Sequence, residues 1–365
     1  MATVNALTNL AQMNAATKPV QIRFSRRSPA YWRVTIDDPP INVMGPEMVR
    51  QFQEVIDALE ADEHVRVVVF ESAVDDYFLN HSDFTAKLEE LTSMSSGPTG
   101  LPPWPDFLVC LTRLPVTSIA LIRGRATGNG SELTLACDMS FASREKAIFS
   151  QWEVGVGMVA GGGPMARLPQ LIGGNRALEV LLSSEDLRGE QAEAYGYVDR
   201  ALPDADLDAF VEALATRIAK FDKWAIANTK RLVNTGLPPD VEIGAGWDAC
   251  IASLGRPAAQ DGIKTLMARG FHKPGDAENR LGYYPGSNRA LGRPTRFAPK
   301  LRETVTKKLT KCTCCGACNH RLRNFLAIAR LLARGSISLK PSLWSRQVRP
   351  ACRTQQTAGA IQSPD

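Results

Sequence analysis

The chain has 365 residues, room for one large domain or two ordinary ones, and its 44% apolar and 22% charged content fits a soluble globular core. No run reaches the roughly 18 apolar residues a membrane span needs, and residues 1–22 lack the basic start and long apolar stretch of an export signal. The net charge of +5 resides in the tail: residues 290–365 hold 15 Lys/Arg against 2 Asp/Glu, which leaves residues 1–289 at −8 and gives the main domain no nucleic-acid signal.

Residues 1–20 read as a flexible terminus. Tyr31 to Ile36 alternates as a strand should, and Asp37-Asp38-Pro39-Pro40 ends it. A helix is expected over 46–60, with Pro46 in its first turn and Met48, Phe52, Val55, Ile56 and Leu59 on one face. The run VRVVVF at 65–70 is apolar enough for a strand covered on both faces. Strand, helix, strand in this order points to a parallel sheet with crossover helices, an α/β architecture.

A loop carrying YFLNHSDF (77–84) and a helix to about 91 come next. Residues 93–105 are turn-rich and read as mobile, and 107–114 as a short helix stopped by Pro115. The stretch 118–167 then organises the chain. It opens with a buried strand (Ile119, Ala120, Leu121, Ile122) and a turn containing Gly124, Gly128 and Gly130. Glu132 begins a helical segment, 147–149 is strand-like, and Glu153 precedes the cluster Gly161 to Gly163. Two carboxylates, each just past a strand and near glycine-rich backbone, suit chemistry on a carbonyl-bearing substrate. Asp138, set between apolar residues, is read as a structural hydrogen-bonding group. Residues 187–199 read as a short helix entering a strand, and two long helices are expected over 207–232 and 241–267, packed outside the sheet domain or against a partner subunit.

Together DPPINVM near 37–44, VRVVVFESAVDDYFLNHSDF at 65–84, RGRATGNGSELTLACDMSFASREKAIFSQWEVGVG at 123–157 and GGGPMARLPQLIGGNRALEVLLSSEDLRGEQAEAYGYVDR at 161–200 resemble the crotonase family, the enoyl-CoA hydratase/isomerase superfamily. The resemblance implies a crotonase-like fold of stacked β-β-α turns with a C-terminal helical region. The expected boundaries are a core over 21–205, a helical region over 206–287, and a basic, cysteine-containing, disordered tail over 288–365. It further implies a homotrimer or a dimer of trimers, and an acyl-CoA or enoyl-CoA substrate with no separate cofactor, because CoA is part of the substrate.

By the same resemblance, the backbone N–H groups of Ser82 and Asn129 form an oxyanion hole for the thioester carbonyl, and Glu132 and Glu153 are the catalytic pair around one water. Asn80, His81, Asp83, Gly128, Gly130, Trp152 and Gly161 line the substrate site, with His81 facing the pocket and Tyr77 and Trp152 shaping it. The chain departs from the family pattern at several points: His81 replaces a glycine, Trp152 a proline, Val159-Ala160 an Ile-Pro pair, and no lysine follows Asp83. Retention of both acids favours an enoyl-CoA hydratase. The alternatives are an enoyl-CoA isomerase or another crotonase-type acyl-CoA enzyme, or a non-catalytic acyl-CoA-binding or assembly protein.

Cys110, Cys137 and Cys250 are isolated in apolar surroundings, which reads as reduced thiols in a cytoplasmic protein. The other cysteines lie in the tail, where Cys315 and Cys318 supply half of a zinc-like spacing without a second pair, so no metal site is assigned.

Overall fold

The computed structural model describes residues 19–283. The expectations for the first 18 residues and for the tail, its cysteines included, lie outside the described residues. Strands β1 (Ile22–Ser28) and β2 (Tyr31–Ile36) pair antiparallel. Helix α1 (Pro46–Ala61) crosses over to β3 (Val67–Ser72), which lies parallel to β2. The chain then steps into a second sheet with β4 (Tyr77–Leu79), followed by α2 (Leu88–Thr92) and α3 (Pro103–Arg113). The same step recurs with β5 (Thr117–Ile122), β6 (Arg125–Thr127) and α4 (Asn129–Ala136). It recurs again with β7 (Met139–Ser143), β8 (Ile148–Ser150), a 3-10 turn (Glu153–Val156), α5 (Pro164–Ile172) and α6 (Gly174–Ser183).

β9 (Leu187–Arg188), α7 (Gly189–Tyr195) and β10 (Arg200–Leu202) complete the sheets. The C-terminal helices are α8 (Asp204–Ile218), α9 (Lys223–Val233), α10 (Asp240–Leu254), α11 (Pro257–Ala268) and α12 (Asp276–Asn279). Among the described residues the larger sheet runs β1-β2-β3-β5-β7-β10 and the smaller β4-β6-β8-β9. The architecture is therefore α/β, built of β-β-α repeats with a C-terminal helical region, as the crotonase fold requires.

Alternation within the central strands explains why both faces of the larger sheet are dry at β3 and β5. Val67 and Val69 of β3 join Ile119 and Leu121 of β5 against Leu207, Val211 and Ala215 of α8. The intervening Val68, Phe70, Ala120 and Ile122 point the other way, into the core with Met48, Phe52 and Val55 of α1. Pro46 occupies the first turn of α1, where its missing N–H costs nothing.

The structure corrects several sequence expectations. β1 was not expected, because an edge strand reading IRFSRRS is exposed along most of its length. The turn-rich 93–105 stretch ends inside α3: Pro103 and Pro105 stand in its first turn, and Trp104 is buried. The 207–232 segment is two helices, since Asp222 caps α9 by accepting the Ala225 N–H at 2.8 Å. Pro257 likewise opens α11 and divides the 241–267 segment. At 187–199 a short strand precedes the helix, and the strand expected after it begins at Arg200. The apolar periodicity continues across both helix breaks, which hides them from a pattern reading.

Asp138 makes structural bonds. Its Oδ2 accepts the Ser118 N–H at 2.8 Å and Oγ–H at 2.9 Å, and lies 2.8 Å from the Lys230 ammonium. Lys230, itself buried, also donates to the Leu111 and Val116 carbonyls at 2.9 Å. Asp138→Ala strands this ammonium without its counter-ion and is expected to cost about 3–5 kcal/mol in urea unfolding. A loss below about 1 kcal/mol would show that the pair does not tie α9 to β5.

Candidate active site

The first candidate acid is built by close packing around glycine. Gly128 ends β6 in a positive-φ conformation (54°) that leads into α4, so the unusual dihedral falls on the glycine and Asn129 is ordinary helix. A Cβ on Gly130 would sit 1.9 Å from the Leu79 carbonyl oxygen, so only glycine lets α4 lie this close to β4. Every residue of α4 is buried, and Glu132 stands in its first turn. The carboxylate is surrounded by donors. Oε2 accepts from Trp104 Nε1 at 2.7 Å and from Asn129 Nδ2 at 3.3 Å, while Oε1 accepts from the Gly162 amide at 2.6 Å. A Cβ on Gly162 would be 2.2 Å from Oε2, so glycine is required for the backbone to reach it. Burial raises the Glu132 pKa, and the hydrogen bonds from Trp104, Gly162, Gly161 and Asn129 oppose that rise.

Glu153 opens the 3-10 turn after β8 and has the opposite surroundings. It is buried, and among the described residues its Oε2 has no hydrogen-bond partner. Burial first, then the charge on Glu132, pushes its pKa up to about 8. A Cβ placed on Gly128 would lie 3.1 Å from Glu153 Oε1, 3.3 Å from Trp152 Nε1 and 3.5 Å from His81 Cβ, so these groups surround one point. The Trp152 Nε1–H is also buried without a partner among the described residues. The two acids are therefore unequal: donors converge on Glu132 and oppose the effect of its burial, whereas burial and the neighbouring Glu132 both work against a charge on Glu153.

Residues 80–83 run as an extended segment beside Met44. Met44 N–H donates to the His81 carbonyl at 3.0 Å and Met44 O accepts from Asp83 N–H at 2.9 Å, an isolated parallel bridge between Met44 and Ser82. In that pairing the N–H of Ser82 points away from Met44. Ser82 Oγ–H donates to Asn129 Oδ1 at 2.9 Å, and Asn129 in turn donates to Glu132. The side chains at the two candidate oxyanion positions thus tie both loops to one carboxylate.

Other expected pocket residues have different surroundings. The His81 ring does not face an open pocket: it is buried, with both nitrogens near protein acceptors, Ser82 O and the Glu278 carboxylate. Asn80 Nδ2 donates to the same carboxylate at 3.1 Å. Asp83 is bound to Thr85 and lies 3.3 Å from His272 Nδ1; the His272 hydrogen bond above all holds its carboxyl well below the usual range. Tyr77 does not border the site; its OH donates to Asn279 Oδ1 at 2.7 Å. Gly161 packs on α10, where a Cβ would lie 3.2 Å from Cys250 and Trp247.

Trp104, Trp247 and Glu278 carry no signal of their own in the sequence, and Gly162 stands there only as a member of the Gly161–Gly163 cluster beside Glu153. Trp104 was hidden in a proline-rich stretch read as loop, although two prolines ahead of an apolar run are also a helix-start signal. A buried network of Ser131, Gln151 and Tyr197 lies beside the acids; Gln151 Nε2 donates to Ser131 Oγ at 2.7 Å, and Ser131 Oγ bonds the Tyr197 hydroxyl. Among the described residues no group of three or more His, Cys, Asp and Glu side chains could hold a metal ion, and no helix is long and apolar enough to cross a membrane.

Comparison with known proteins identifies the family. The enoyl-CoA hydratase/isomerase family model matches residues 27–249. Human mitochondrial methylglutaconyl-CoA hydratase is 31% identical over 236 residues, covering 62% of this chain and 67% of that protein. The short-chain-enoyl-CoA hydratase of Clostridium acetobutylicum is 26% identical over 218 residues, 59% of this chain and 82% of the relative. A Streptomyces avermitilis protein solved as a candidate enoyl-CoA hydratase superimposes with a TM-score of 0.70 at 36% identity, covering 75% of this chain and 99% of its own. Pseudomonas aeruginosa OdaA gives 0.60 at 26% identity, covering 68% and 99%. The chain belongs to the enoyl-CoA hydratase/isomerase family, whose fold indicates crotonase-type chemistry on CoA thioesters.

Proposed function

We propose that this protein hydrates a 2-enoyl-CoA thioester to the 3-hydroxyacyl-CoA. The observation that carries this reading is the unequal carboxylate pair: Glu132 ringed by donors, and Glu153 buried with its pKa at about 8. The thioester oxygen accepts hydrogen bonds from the N–H groups of Ser82 and Asn129, which stabilises the enolate that forms as water adds. Glu132 takes a proton from water as its oxygen bonds to Cβ. The π electrons move toward the thioester, and Glu153 delivers its proton to Cα. Transfer of the proton on Glu132 back to Glu153, by way of solvent, restores the starting state. CoA enters as part of the substrate.

Oligomerisation completes the proposal. Leu178 and Leu182 on α6, Trp224, Leu232 and Val233 on α9, and Val241 on α10 are exposed. Such apolar surface supports assembly into a homotrimer or a dimer of trimers. Cys110, Cys137 and Cys250 are free thiols, and burial pushes Cys110 and Cys250 up to about 12. Unpaired, unreactive thiols support a cytoplasmic setting.

Mass spectrometry of a panel of 2-enoyl-CoA thioesters is expected to show a product heavier by about 18 Da, one added water, with Glu132→Gln and Glu153→Gln each slower by about 100- to 10,000-fold. A shifted double bond without added water would instead make the protein an isomerase, and binding without turnover would make it a non-catalytic acyl-CoA binder.

Glu153 also makes stability depend on pH. Its carboxyl titrates near 4.5 in the unfolded chain and about 8 in the folded one, so between those values the folded state holds the extra proton. Stability is present below 4.5 and lost as pH rises toward 8, by an amount on the order of a few kcal/mol. Chemical denaturation at pH 6 and pH 9 is therefore expected to show Glu153→Gln gaining on wild type at the higher pH; parallel behaviour would remove the raised pKa.

Sedimentation velocity is expected to give a trimer or hexamer, with Leu182→Glu combined with Val233→Glu dissociating it. A monomeric wild type at micromolar concentration would end the oligomer proposal.

A further inference from the structure

His81 occupies the residue just before the Ser82 amide, and its side chain is buried against the far C-terminal part of the domain. Glu278, on α12, is fully buried and accepts from every side. Its Oε1 lies 3.0 Å from His81 Nε2 and 2.7 Å from the His272 amide; its Oε2 lies 3.1 Å from His81 Nε2 and 3.1 Å from Asn80 Nδ2. Both carboxylate oxygens thus face donors, the pattern of an ionised group. Burial works to raise the Glu278 pKa, but the His81 charge and these hydrogen bonds bring it below the ordinary carboxylate value.

The other ring nitrogen of His81, Nδ1, lies 3.0 Å from the Ser82 carbonyl oxygen, which can only accept. An acceptor thus faces each ring nitrogen, an arrangement that only a ring carrying hydrogen on both nitrogens satisfies in full. The His81 ring stacks on Phe271 with centroids 4.0 Å apart, an arrangement that favours a cation over an aromatic face. The His272 ring lies 5.0 Å from it and is partnered by Asp83. His272 itself has a positive φ of 68°, a costly conformation for a non-glycine residue, and this turn brings its amide onto Glu278.

We propose that Glu278 and His81 form a buried ion pair that positions the Ser82 N–H, making Glu278 a positioning residue for the reaction. The inference rests on the thioester reading of the site given above. The peptide linking His81 to Ser82 is held at three points. The His81 ring is anchored to Glu278, the His81 carbonyl accepts from Met44 N–H at 3.0 Å, and Ser82 Oγ–H donates to Asn129. A donor bonded through its own carbonyl is polarised and strengthened, and one displaced by about 1 Å loses much of its worth. The ion pair also removes the conflict of a histidine in a tight oxyanion loop, because the ring packs against Phe271 and Glu278 of the C-terminal region.

The test uses an aromatic 2-enoyl-CoA of the cinnamoyl type, whose absorption moves to longer wavelength as its thioester carbonyl is polarised. The comparison is among full-length wild type, E278Q, Y77F and the double variant H81Q/E278Q. Y77F loosens α12 by removing the Tyr77–Asn279 bond while sparing the ion pair. E278Q is expected to bind the probe with much of the red shift lost, to lower kcat by about 10- to 100-fold, and to leave KM within about threefold. Y77F is expected to keep the wild-type red shift. H81Q/E278Q replaces the charged pair by neutral groups, so it folds even where E278Q does not, and it too is expected to lack the red shift. A wild-type red shift and kcat in E278Q, or in the double variant, would overturn the inference while leaving the thioester reading intact. A wild type that binds no thioester would overturn both.

Discussion

Glu132 and Glu153 are both buried, and the charge on the first raises the cost of a charge on the second. That constraint organises the site. One acid can remain ionised only where donors replace its lost water, and the chain supplies them from three separate places: Trp104 on α3, Asn129 on α4 and the Gly162 amide ahead of α5. Among the described residues no comparable set is aimed at Glu153, whose Oε2 has no hydrogen-bond partner. In the proposed hydration this asymmetry is the mechanism itself, since water must lose a proton on one side and Cα gain one from another.

The smaller sheet explains how such distant residues meet. β4, β6 and β8 are parallel neighbours, so their C-terminal ends lie side by side. From those ends emerge residues 80–83, the Gly128 turn into α4, and the Gln151-Trp152-Glu153 segment. Each repeat of the fold thus delivers one loop of the candidate site to the same edge, and the larger sheet, whose central strands β3 and β5 are buried on both faces, provides the base. Glycine is used where two of these loops must touch: Gly130 against the β4 backbone, and Gly162 against the Glu132 carboxylate.

What the sequence made legible follows from where local and global preferences agree. The face of α1 formed by Met48, Phe52, Val55, Ile56 and Leu59, and the doubly buried VRVVVF strand, appear where periodicity put them. The two glutamates could be placed next to glycine turns, and the structure sets Gly128 close to Glu153 and Gly162 close to Glu132. The partners that give each acid its character were not legible. Trp104 lay among prolines that punctuate a loop as readily as they begin a helix. Glu278 lies far along the chain, in a four-residue helix too short for any pattern, and its role depends on a contact with residues 80 and 81 that only tertiary structure makes. The breaks at Asp222 and Pro257 escaped because apolar periodicity runs on through them, so cap chemistry and not the hydrophobic face set the helix ends.

The departures at residues 81 and 82 make sense as a set. A histidine alone in the oxyanion loop would place an imidazole where the chain must stay close to substrate. With Glu278 as its partner, the ring is buried and stacked on Phe271. Ser82 and Asn129 then use their side chains on each other, joining the two amide-bearing loops by a hydrogen bond that glycines could not make. A loop built from glycine is free to adopt its shape but must be held there by its neighbours. Here the side chains themselves supply the restraint, and one of its anchors is the C-terminal region, through α12. The geometry of the proposed oxyanion site therefore depends on a part of the chain that contributes neither of the candidate acids nor either of the candidate amides.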